Sequence, residues 1–109
     1  MGWTLERGLA LVRELAPILL ERGWGIGLTG SVLLEGRSRN DLDIIAYPQT
    51  RVKGNISELE AGMREAGLRL KYDIKQVHAA WRSQGSQDDK LVQVWQTRTR
   101  QKVDLFIMD

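Results

Sequence analysis

Asp41-Leu42-Asp43-Ile44-Ile45 follows Thr29-Gly30-Ser31 at an interval of nine residues after the serine, and the rest of the chain organises itself around this stretch. Its residues alternate between acid and apolar side chains before passing into an apolar run closed by Pro48, the pattern of a strand over 41–47. On a strand the two carboxylates point to the same face, about 7 Å apart along the chain. Like charges so placed repel unless water or a cation lies between them. A solvated strand end or a calcium loop would also place two acids this way. A calcium loop, however, wants further oxygen ligands and a closing Glu, and Ile44, Ile45 and Ala46 supply none.

Working back toward the N-terminus, Trp24 to Thr29 is a short apolar run broken by Gly25 and Gly27, a buried strand approached closely by another backbone. Residues 30–40 read as a turn or short helix rich in Gly, Ser and Arg. Gly30 lets the backbone turn tightly and frees amides for phosphate oxygens, and Ser31 adds a hydroxyl. Before the strand, Leu5, Leu9, Val12, Ala16 and Leu19 recur at steps of three and four. This predicts an amphipathic helix capped by Thr4, stopped at Gly23, and carrying Pro17 as a kink point.

Toward the C-terminus, Ile56, Leu59, Met63 and Ala66 share one face of a second helix over 56–67, with Ser57 as candidate cap and Gly67 as stop. From Leu68 the period becomes two: Leu68, Leu70, Tyr72 and Ile74 alternate with Arg69, Lys71, Asp73 and Lys75, a half-buried strand running toward Val77. Residues 82–90 form a polar loop. Leu91 to Thr97 and Val103 to Met108 flank Arg98-Thr99-Arg100-Gln101-Lys102, the outline of a hairpin with a basic turn. The order of elements implies an α/β (α+β) sandwich, a mixed sheet with helices packed on one face.

Asp104 is the late acid set inside an apolar strand, where an unpaired carboxylate costs several kcal/mol. A salt bridge to an arginine would relieve it. If its strand lies beside that of Asp41, three carboxylates converge, and hard oxygen donors of this kind suit Mg²⁺ or Mn²⁺. Arg37 and Arg39, between the Gly-Ser turn and the acidic strand, are candidate contacts to a triphosphate or an acceptor, or else solvated loop arginines. Ser38, Asn40 and Lys102 belong to the same surrounding shell. Arg69, Lys71 and Lys75 could follow a polynucleotide backbone or simply face solvent. Lone His78 has no partner spacing. Trp24, Trp81 and Trp95 are expected in the core or at an interface, and Trp81, beside Arg82 and the 82–90 loop, could instead stack on a base.

A chain of 109 residues allows one core and one domain over 1–109. The net charge of +2, from 16 Lys and Arg against 14 Asp and Glu, is weak evidence for a polyanionic partner. With no cysteine, disulfides, thiolate metal sites and cysteine nucleophiles are excluded. Glu6, Arg7, Arg13 and Glu14 interrupt the first leucines, so no membrane span is expected there and a cytoplasmic location is the default expectation.

Gly30-Ser31, then Asp41-Leu42-Asp43-Ile44, with a later Val103-Asp104-Leu105, resembles the signature of the DNA polymerase beta-like nucleotidyltransferase superfamily, and in particular its minimal stand-alone members. The resemblance covers residues 5–47 and 91–108. It implies two-metal nucleotidyl transfer from an NTP: Asp41 and Asp43 would bind two Mg²⁺ or Mn²⁺ ions, Asp104 would join them at the acceptor side, and Gly30 and Ser31, with Arg37 and Arg39 nearby, would hold the triphosphate. The chain is expected to lack the extra helical domain most members carry, which leaves nucleotide and acceptor (protein, nucleic acid or small molecule) open. A non-catalytic nucleotide-binding or partner-binding module, such as an antitoxin-like partner, would use the same fold. A manganese-dependent nucleotide-sugar enzyme is disfavoured by the short chain and the Gly-Ser turn. A homodimer would supply a missing wall of the cleft.

Overall fold

The structure, a computed structural model, describes residues 2–49, 54–73 and 90–108. Along the chain these form β1 (Trp3–Thr4), α1 (Leu5–Glu21), β2 (Trp24–Thr29), α2 (Gly30–Glu35), β3 (Arg37–Ser38), β4 (Asp41–Pro48), α3 (Ile56–Glu65), β5 (Arg69–Asp73), β6 (Lys90–Gln96) and β7 (Lys102–Met108). The readings of His78, Trp81, Arg82, Lys75, the continuation from Ile74 to Val77 and most of the 82–90 loop fall outside the described residues.

Helix α1 begins where the sequence predicts, with the Thr4 hydroxyl accepting from the Arg7 amide at 3.2 Å. It stops at Gly23, whose φ of 85° a side chain would resist. Its buried stripe is only partly the one expected: Leu19 and Val12 face the core, Leu5 and Leu9 do not. Gly8, Leu15 and Leu19 are buried and Leu11 and Val12 pack beside them, whereas Leu5 and Leu9 stand more than a third exposed. The helix is turned because Gly8 has no side chain: a Cβ there would meet Leu42, Val32 and Leu28 at 2.9–3.4 Å, so the backbone itself comes down onto the core. On α3 the expected face holds, with Leu59 and Met63 buried and Ile56 and Ala66 beside them. Its cap is Asn55 rather than Ser57. The Asn55 carboxamide accepts from the Glu58 amide, the geometry open only to the residue immediately outside the helix.

The main sheet has the order β2-β4-β7-β6-β5. β4 and β7 run parallel and every other neighbouring pair antiparallel, so the sheet is mixed. In β4, Leu42, Ile44 and Ala46 are fully buried, as are Val103, Leu105 and Ile107 in β7, and the three helices contribute to this one core. The intervening residues, Asp41, Asp43, Lys102 and Asp104 among them, therefore point to the opposite face. On β5 the simple alternation fails after Leu70: a bulge between Leu70 and Tyr72 puts Tyr72 opposite Val94, itself paired with Asp104, and Tyr72 is 60% exposed.

A second, two-stranded sheet pairs β1 with β3, Trp3 opposite Ser38. It was not expected from the sequence, since two residues leave no periodicity to read. Trp24, Trp95 and Trp3 are buried, and each indole donates to a carbonyl oxygen: Trp24 to Asn55, Trp95 to the Gln93 side chain, and Trp3 to Lys102 across the chain ends. Gln93, itself buried, donates to Glu60 on α3 at 3.1 Å.

The corrected cap and core face have measurable consequences. Leu15→Ala should lower unfolding stability by about 2–5 kcal/mol, Asn55→Ala by about 1 kcal/mol and Ser57→Ala by only a few tenths, read as shifts in urea midpoint at constant slope.

Candidate metal centre

The parallel pairing of β4 and β7 sets Asp43 opposite Asp104 and Asp41 opposite Lys102. The three carboxylates each offer an oxygen, and these oxygens lie within 4.8 Å of one another. All three are half-buried. Asp104 Oδ1 is shut off from solvent and accepts no hydrogen bond, with the Lys102 ammonium 3.6 Å away. The arginine salt bridge that would have explained Asp104 structurally is absent among the described residues, where its ion pair is with Lys102.

One ammonium beside three carboxylates leaves an excess of negative charge in a partly dry site, and the protons respond. Burial, then contact with Asp41, raises the Asp104 carboxyl to about 7, against the opposing pull of Lys102. Asp43 is also raised, by burial first and the charge of Asp41 second, while Asp104 and Lys102 act to lower it. A divalent cation would oppose both shifts by favouring the charged carboxylates. Two oxygens on opposite sides of one Mg²⁺ are about 4.2 Å apart, a span close to the upper limit of 4.8 Å between oxygens of this cluster. The buried oxygen of Asp104, without a hydrogen bond and with only the Lys102 ammonium at 3.6 Å, is the observation that favours a cation over a bare acidic patch.

Gly30 belongs to the same site. Its φ is 74°, and a Cβ there would fall 2.2 Å from Asp43 Oδ2 and 2.9 Å from Asp43 Cβ and Cγ. Thr29 is in register with Asp43, so the β2–α2 turn lies directly against the carboxylate. Ser31, Arg37 and Arg39, with Gly2, Trp3, Thr4, Glu35 and Ser38, line a pocket of about 620 Å³ that the three aspartates do not themselves line. The structure thus brings Asp41, Asp43, Asp104 and Gly30 together and sets Ser31, Arg37 and Arg39 in an adjoining, solvent-exposed group.

The sequence reading missed the wall of that pocket made by residues 2–4. A Cβ on Gly2 would strike the Ser38 carbonyl at 2.4 Å, which is how closely β1 lies on β3. It also missed what holds the start of β7. Buried Gln101 accepts from Arg7 and donates to the Gly2 carbonyl, and Arg7 stacks 5.7 Å from the Trp3 ring centroid. The only signal was an isolated Trp before the helix cap, too little to place.

Two outcomes follow for the protein stripped of metal by a chelator. The folded-state carboxyl of Asp104 binds its proton up to about 7, the unfolded one only to 3.8. Between these values the native state holds more protons, so stability should fall as pH rises from about 4 to 8. Asp104→Asn should flatten that slope, and excess Mg²⁺ or Mn²⁺ at pH 8 should restore the wild type's urea midpoint. Gly30→Ala should displace Asp43 and abolish this cation-induced stabilisation, checked by thermal unfolding with and without the ion.

No family model matches the chain and no curated protein matches it, so the chemistry of the site is read from its own geometry.

Proposed function

We propose that the chain is a metal-dependent nucleotidyltransferase, moving an NMP from an NTP to an acceptor hydroxyl with release of pyrophosphate. The observation that carries the reading is the convergence of Asp41, Asp43 and Asp104 around a buried oxygen that accepts no hydrogen bond, with Gly30 packed on Asp43. Asp41 and Asp43 would hold the cations, and Asp104 would complete the set. Bound there, two Mg²⁺ or Mn²⁺ ions would acidify the acceptor hydroxyl and neutralise charge on the departing pyrophosphate.

The chain's own residues supply the rest. Asp104 would orient the acceptor hydroxyl and take up its proton as the oxygen attacks the α-phosphorus. The bond that breaks is that from the α-phosphorus to the bridging oxygen, and the pyrophosphate leaves with its electron pair. The amides of Gly30 and Ser31, with Arg37 and Arg39 beside them, would hold the triphosphate in line. Lys102, 3.6 Å from Asp104, would limit the negative charge of the cluster.

The test incubates α-labelled ATP, CTP, GTP and UTP with the protein, a divalent ion and a cell lysate. Wild type should transfer label, and Asp43→Asn should reduce transfer by about 10²-fold or more. NTP binding should strengthen with Mg²⁺ in wild type and lose that dependence in Asp41→Ala. Metal-dependent NTP binding without any transfer would favour the nucleotide-binding module; binding indifferent to both metal and Asp41 would overturn the site.

A further inference from the structure

Two features of the fold lack a covering partner among the described residues, and they lie together. The first is the outer edge of β2, with which no described strand pairs. A bare strand edge presents a row of free N–H and C=O groups, and proteins that keep such an edge single block it with charges, proline or a bulge. The opposite edge strand, β5, has these devices: exposed Arg69, Lys71 and Asp73, and the bulge after Leu70. Strand β2, Trp-Gly-Ile-Gly-Leu-Thr, carries neither charge nor proline and pairs with β4 in unbroken register over all six residues.

The second is the flank of α1 above that edge. At about 100° per residue, Leu5, Leu9, Ala16 and Leu20 fall within about 60° of one another. Leu9 is 36% and Leu20 58% exposed. The other flank of α1 is taken by α3, because Arg22 bonds Glu58 at 2.7 Å and lies 3.8 Å from Glu65, and Leu19 sits against Gly62. Helix α1 packs chiefly on β2, and α3 toward β5. The leucine stripe that the core does not use therefore lies on the side of the strand edge with which no described strand pairs.

We propose that a second copy of this chain docks here, β2 pairing antiparallel with its counterpart to continue the sheet across a two-fold axis, and the α1 stripes packing on each other above it. Blocked β5 excludes the head-to-tail alternative. An antiparallel pair of identical strands is the self-complementary solution of a two-fold, and an uncharged stripe can meet itself without placing like charges together. A stable interface takes about 800 Å² per partner, more than a six-residue strand supplies; the stripe adds an apolar band about 23 Å long. The pairing would also close one side of the acidic site, since Thr29 at the end of β2 is in register with Asp43. The docking geometry does not depend on the proposed activity.

Sedimentation velocity and light scattering on the full chain at about 100 µM should give twice the 12.4 kDa chain mass. Leu9→Lys/Leu20→Lys, on exposed positions, should give 12.4 kDa with an unchanged circular dichroism spectrum. Amide exchange at the outward-facing positions of β2 should slow at least tenfold in wild type relative to that variant. A monomeric wild type, a dimer that survives the double substitution, or a dimer whose outward β2 amides exchange as fast as the variant's would each overturn the proposal.

Discussion

The parallel ladder between β4 and β7 is the constraint on which the rest depends. One register, Asp43 opposite Asp104, fixes both faces of the sheet at once. On one face it aligns Leu42, Ile44 and Ala46 with Val103, Leu105 and Ile107 to make the floor of the core. On the other it gathers three carboxylates and one lysine. A slip of one residue would carry the acids into the core and the leucines out of it, so the hydrophobic burial that stabilises the fold also enforces the geometry of the site.

That coupling has a cost, visible in the protons. Packing Asp104 beside Asp41 and Asp43 in a half-dry site works against folding, and its carboxyl answers by rising to about 7. A fold selected for stability alone would gain by replacing it with an apolar residue. Gly30 points the same way: a positive φ directly against Asp43 is a backbone arrangement that strand and helix do not need for their own sake. The chain ends are drawn into this arrangement too, since Trp3 donates to Lys102 and Gly2 to Thr4 help wall the neighbouring pocket.

The helices show how tertiary contact selects among the faces a sequence offers. Helix α1 is apolar over more of its circumference than one core needs, and Gly8 decides which part goes in. The remainder lies toward the edge of β2, with which no described strand pairs, while the edge strand at the other side carries Arg69, Lys71 and Asp73. The two edges of one small sheet thus have opposite chemistry.

Much of this was legible in the chain. Thr4, Gly23 and Gly67 marked helix ends because caps and left-handed stops act through one or two residues. The alternation in Asp41–Pro48 and Lys102–Met108 separated core from site because the strand period is two. The residues of the acidic cluster could be named from their chemistry, an acid inside an apolar run being too costly to be incidental. What the sequence could not decide was anything set by contact between distant segments. The face of α1 buried against Leu42, the bulge that turns Tyr72 outward, the pairing of β1 with β3 and the separation of Ser31, Arg37 and Arg39 from the aspartates all depended on which strands became neighbours. Local pattern fixes the period and the ends of each element, but its orientation and register are chosen by the side chains it meets across the core, and only the folded chain brings those together.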